Sequence, residues 1–171
     1  QYVAVDGKAQ DWHLMHWGNL LNSGAGLFTI EATAVTPEGR ITHGCLGLWD
    51  DATAAAFEDT LHRARRLAPP VPVCLQLSHA GRKASSAQPW NGGLQIALDQ
   101  GGWKALAPSA ISHKEGELAP EAIDAAGLVR IREAFAASAR RADQAGVDAI
   151  ELHGAHGYLL HQFVSPLSNH R

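Results

Sequence analysis

The sequence predicts an α/β chain of parallel strands, about the first half of a (β/α)8 TIM barrel, folded as one domain over residues 1–171. Three observations predict it. Short apolar runs alternate with helical repeats, polar residues gather just past the ends of those runs, and no glycine fingerprint follows the first run. An open Rossmann-type sheet carries GxGxxG directly after its first strand, whereas Gly24-Ala25-Gly26 precedes the strand here. Barrel active sites lie at the C-terminal ends of the strands, where the polar residues fall. Such barrels run to roughly 250 residues, so three or four βα units amount to about half of one.

Each element has its own signal. Trp12–Ser23 reads as a helix stopped by Gly24. Gly26–Val35, Val71–Leu77 and Val147–Leu152 are short and aliphatic on nearly both faces, as strands covered by helices are. Asp50–Leu67 carries Ala54, Phe57, Leu61 and Ala64 at helical spacing, with Asp50 or Asp51 as its N-cap. Pro120–Ala145 places Leu128, Ile131, Phe135, Ala139 and Ala142 on one face, and Gly146 ends it. The segment Gly81–Glu117, rich in Pro, Gly, Ser and Asn with two Trp, is too long for a plain connection and is expected to be an active-site loop with short embedded elements.

Composition narrows the function. Hydrophobic residues make up 46% and charged residues 18%, values of an ordinary globular domain, not a disordered one. A net charge of -3 gives no basic footprint for nucleic acid or anionic membrane. No run approaches the ~18 apolar residues of a membrane span. Cys45 and Cys74 form no CxxC, and a reducing, cytoplasmic compartment fits them. The opening Gln1-Tyr2-Val3 without methionine and the uncapped end at Arg171 lead to the expectation that the chain is a piece of something longer.

The chemistry concentrates after the third strand, in His153-Gly154-Ala155-His156-Gly157-Tyr158. Two imidazoles three residues apart, with a phenol two further on, leave a strand end together, and the flanking glycines allow a tight turn. Neutral imidazoles donate hydrogen bonds to a carbonyl oxygen that gains charge. A phenol, with a pKa of about 10, holds a proton at neutral pH and can deliver it. The same HxxH spacing leaves open a zinc site, and with it a metal-dependent barrel hydrolase using His153 and His156, although HExxH and a neighbouring acidic or cysteine ligand are absent. His13 and His16 on the first helix read as surface or packing residues. His79, Arg82 and Lys83 read as loop residues that either face the site or are solvated.

The run from His153 through Gln162-Phe163-Val164-Ser165-Pro166-Leu167-Ser168-Asn169-His170-Arg171 resembles the signature of the Old Yellow Enzyme family, in particular its bacterial xenobiotic-reductase-like branch. Glu31-Ala32-Thr33-Ala34-Val35 with Pro37-Glu38-Gly39-Arg40, Gln76 to Lys83, and Pro108-Ser109-Ala110-Ile111 extend the resemblance over nearly the whole chain. It implies an FMN-dependent NAD(P)H oxidoreductase, an ene-reductase acting on the C=C bond of enone-type small molecules, with NADPH or NADH as hydride donor and a homo-oligomer at full length. It also implies roles: His153 and His156 hold the electron-withdrawing group of the substrate, Tyr158 protonates it, Gln76 and the Ala32 backbone meet the flavin, and Tyr2 helps bind substrate oxygen. The family's flavin-tuning cysteine or threonine would come just before Gln1. Its flavin-binding arginine and phosphate loops would come after Arg171. A half-barrel is expected to expose a sheet edge.

Overall fold

The computed structural model describes all 171 residues, Gln1–Arg171. Helix α1 (Asp11–Leu21) precedes strand β1 (Phe28–Ala34), helix α2 (Asp51–Arg66) and strand β2 (Val73–Ser78). A long segment with the two-residue strands β3 (Leu106–Ala107) and β4 (Glu121–Ala122) leads to helix α3 (Ala125–Gln144), strand β5 (Ala149–Leu152) and helix α4 (Leu159–Val164). The main sheet is parallel in the order β1-β2-β5. That order, with a helix carrying each crossover, is the arrangement of successive units in a βα barrel.

The core lies between the sheet and the helices. Ile30, Leu75 and Leu77 meet Trp17 and Leu21 of α1 and Phe57 and Leu61 of α2, each at most 1% exposed. The Trp17 and Phe57 rings meet edge to face with centroids 5.4 Å apart. Full burial of each such side chain contributes roughly 1.5–3 kcal/mol, so this layer fixes the sheet against α1 and α2. The repeat expected in α2 is the buried one, and Asp50 is its N-cap, accepting from the Thr53 amide at 2.8 Å.

Two expectations need correction. The helix expected over Pro120–Ala145 begins only at Ala125, because the Asp124 side chain caps the Gly127 amide at 2.7 Å and residues 121–122 instead pair with β3. Capping by a short carboxylate fixes a helix start more firmly than the upstream apolar spacing does. Secondly, β5 is exposed along all four of its residues, unlike a strand covered on both faces, because it is the edge of the sheet. The β1–β2 register also shifts between Ile30 and Thr33, leaving Glu31 and Ala32 as a bulge opposite Gln76.

Candidate active site

The site is built at the point where β5 runs out. The His153 amide donates to the Leu77 carbonyl at 2.9 Å, which carries the β2–β5 ladder one residue further. Side chains alternate along a strand, and Leu75 and Leu77 face the helices. Gln76, Ser78, Glu151 and His153 therefore share the opposite, inner face. There Gln76 pairs in register with Glu151, and its amide donates to the Glu151 carboxylate. The Glu31–Ala32 bulge completes the row on β1, and the Ser78 hydroxyl, buried on that face, has no partner.

After His153 the chain reverses through two left-handed residues, His156 at φ 56° and Gly157 at φ 70°. A non-glycine residue in that region costs of order 1 kcal/mol or more and persists where surrounding contacts hold it. Three bonds do so: Lys83 Nζ donates to the His156 carbonyl at 2.9 Å, Gln162 Nε2 to the Gly157 carbonyl at 2.7 Å, and the Gly157 amide to His161 Nδ1 at 2.8 Å. The turn gathers three rings. His153 lies 4.7 Å from Tyr158 and 5.0 Å from His156 between centroids, edge to face in both cases, and His156 lies 6.3 Å from Tyr158.

The hydrogen bonds settle which nitrogens carry protons. His153 Nδ1 accepts from the Ala155 amide at 3.2 Å, so its proton sits on Nε2, which points at His156 Nδ1 3.2 Å away. His156 then carries its own proton on Nε2, facing outward. Burial lowers the His153 pKa, with His156 adding to the effect, so the ring is neutral at pH 7. Burial, then Tyr2 and Cys45, pushes Tyr158 up to about 12, so the phenol keeps its proton. The pair thus presents one outward N–H, and an incoming oxygen that parts the rings gains a second. The two imidazoles bond to each other, and these 171 residues assemble no group of three His, Cys, Asp or Glu side chains.

Tyr2 lines a cleft with Tyr158. It is held at φ 60° and half-buried, and a cleft of about 350 Å³ runs between it and Tyr158, bounded by Arg82, Lys83 and His113. Much of the roof comes from the segment expected to be an active-site loop, which contains short 3-10 turns at Gly81–Lys83, Pro89–Asn91 and Leu98–Gln100. His153, His156 and Tyr158 are therefore brought together at one end of the sheet, Tyr2 lies across the cleft from Tyr158, and Ala32 and Gln76 lie across the inner face. His79 turns away from the site: it is 1% exposed, its Nδ1 accepts from the Gly81 amide at 3.1 Å, and its ring packs on Gly39. His13 is fully buried with Nδ1 accepting from the Gln10 amide at 3.0 Å, and His16 stacks on Trp12 at 4.6 Å, both packing roles.

Sequence reasoning passed over Gln162. It is 1% exposed, and its amide accepts from the Arg82 amide at 3.2 Å while donating to Gly157. It staples α4 to the turn after β2 and so holds the chain that carries Tyr158. The available signal was its place one helical turn after Tyr158, opposite Gly81, where an added Cβ would fall 2.3 Å from the Gln162 amide.

The chain is similar to known proteins in sequence and in fold. An NADH:flavin oxidoreductase of Gibberella zeae is 45% identical over 175 residues, covering 100% of this chain and 42% of that protein. An NADPH dehydrogenase of Halalkalibacterium halodurans is 39% identical over 166 residues, covering 97% of this chain and 44% of that protein. Among solved structures, morphinone reductase superposes with a TM-score of 0.80 at 26% identity, covering 99% of this chain and 46% of its own. Its complex with tetrahydroNAD gives 0.81 at 25% identity, covering 100% and 47%. The chain thus spans less than half the length of the relatives it matches. Residues 3–171 match the model of one family, and the chain belongs to it: the NADH:flavin oxidoreductase / NADH oxidase family.

Proposed function

We propose that the protein this chain belongs to is an FMN-dependent NAD(P)H oxidoreductase that reduces the C=C bond of α,β-unsaturated carbonyl compounds and similarly activated alkenes. The convergence of His153, His156 and Tyr158 at the C-terminal end of β5 carries the reading. The inner face of the sheet fits a flavin. The Gln76 amide offers both a donor and an acceptor for a pyrimidine edge, the Glu31–Ala32 bulge turns the β1 backbone beside it, and the buried Ser78 hydroxyl lacks a partner. Gln76 and the Ala32 backbone would hold that edge, and bound FMN would supply the hydride chemistry.

The chain's own residues do the rest. A carbonyl oxygen entering from the cleft takes the outward Nε2–H of His156 and, by parting the two rings, the Nε2–H of His153. Both N–H groups are hydrogen-bond donors placed to stabilise charge growing on that oxygen. Tyr158, with its pKa pushed up to about 12, holds a proton beside the same oxygen for delivery to carbon. Tyr2 lies across the cleft and provides a second phenol for the substrate oxygen. The inner row of Gln76 and Glu151 keeps polar groups on the flavin side and apolar groups on the helix side.

The test is direct. The intact protein, purified with added FMN, is expected to be yellow, and cyclohex-2-enone is expected to reoxidise its NADPH-reduced flavin anaerobically with release of the saturated ketone. Failure to retain FMN, or reoxidation by oxygen alone with no saturated product, overturns the proposal.

A further inference from the structure

We propose that Arg82, Lys83 and Lys114 form an anion-binding subsite at the rim of the Tyr2–Tyr158 cleft, which seats a phosphate or carboxylate carried by the reacting molecule. The proposal rests on the reading of the cleft given above and specifies what enters it. All three cations line the cleft, and none of them forms an ion pair, although five arginines and a lysine elsewhere in the molecule do. Arg82 is the most telling. Its Nε is buried with no partner, and its Nη1 reaches only the Ser112 carbonyl at 3.3 Å and the Ile111 carbonyl at 3.5 Å. A half-buried guanidinium with an unpartnered Nε and no counter-ion has a free edge that an anion with two oxygens satisfies.

The neighbours agree. Lys83 sits on the His156 carbonyl at 2.9 Å and 5.5 Å from the Tyr158 ring centroid, which brings positive charge to the edge of the ring cluster. His113, on the same cleft, is held below its ordinary value first by burial and then by Lys83, with Arg82 and Lys114 adding to the effect and Glu117 opposing it. Glu117 is the one carboxylate on the cleft and accepts the Lys114 backbone amide at 3.2 Å, so the rim keeps a positive balance. Two sources present the required group: the phosphates of a nicotinamide dinucleotide, or a carboxylate on the alkene acceptor.

The experiment uses the intact protein, with and without FMN, and inorganic pyrophosphate as the calorimetric probe. Arg82→Met is expected to weaken pyrophosphate binding roughly 10- to 100-fold, the range of a charge-assisted hydrogen bond. The exposed Lys114→Met is expected to weaken it roughly threefold, as a rim charge does, with Lys114→Arg restoring it. A loss in flavin reduction by NADPH and NADH alike identifies the dinucleotide pyrophosphate, and a loss with NADPH alone its 2′-phosphate. A loss of turnover with a carboxylate-bearing enone but not its methyl ester identifies the acceptor. Either result supports the subsite. Unchanged pyrophosphate binding in both Met variants overturns it, as does equal loss for charged and uncharged acceptors with no loss of pyrophosphate binding. Pyrophosphate binding that disappears in the variants of a protein that retains no FMN would leave the subsite standing and remove the ene-reductase reading instead.

Discussion

Gln162→Met replaces the amide that fastens α4 beside β2 with an apolar side chain of nearly the same length. The amide makes two firm bonds, from the Arg82 amide at 3.2 Å and to the Gly157 carbonyl at 2.7 Å, with a weaker one to the Ala80 carbonyl at 3.4 Å. Its residue is 1% exposed, so water does not replace those partners. Stranding two buried backbone groups at roughly 1–3 kcal/mol each gives an expected loss of about 3 kcal/mol. The Gly157 carbonyl belongs to the left-handed turn, so the Tyr158 ring loses its fixed place as well. Urea unfolding of the intact protein measures the first effect, and kcat for an enone measures the second. A loss below about 1 kcal/mol, the net worth of a single ordinary hydrogen bond, together with unchanged kcat, refutes the argument that this amide sets the turn.

Tyr158→Phe is expected to slow enone reduction roughly 10²- to 10⁴-fold, the range of general acid catalysis, while leaving flavin reduction by NADPH unchanged; stopped-flow separates the two half-reactions. His79 is expected to make the protein acid-sensitive. Burial holds it down at about 4 from 6.5, so its contribution is present above pH 6.5 and lost as pH falls through about 4. That difference corresponds to about 3 kcal/mol. His79→Gln, compared with the parent in unfolding experiments between pH 7.5 and 4, should flatten the profile, and an imidazole that titrates near 6.5 in the folded protein by NMR would contradict this. Gly39→Ala places a Cβ 2.8 Å from His79 Cδ2, both residues being buried, and is expected to cost roughly 1–3 kcal/mol in urea unfolding, with the cost relieved when His79 is also shortened to Ala.

The strands, the α2 face and the ring cluster were legible because each is carried by local pattern: short aliphatic runs, helical spacing, and a strand end followed by His153, His156 and Tyr158. The start of α3 was not, since the apolar repeat continues upstream and only the Asp124 cap interrupts it. The exposure of β5 follows from its place at the sheet edge, which no property of its four residues reveals. Arg82 and Lys83 looked like solvated loop charges because nothing in a sequence distinguishes a cation facing water from one facing a cleft 73 residues away in the chain, where Lys83 meets His156. The mutual hydrogen bond of the two imidazoles, likewise, depends on the left-handed backbone at His156, a conformation the sequence hints at only through the adjacent Gly157.

The open side of β5 carries a consequence for how firmly the chemistry can be held. Its four residues are exposed, Leu152 to 59%, and His153 follows them immediately. The His153 backbone is thus tied to the sheet on one side alone, through its amide to the Leu77 carbonyl. An open strand edge of this kind is a template onto which another strand can pair, and pairing there would fix the start of the His153 turn.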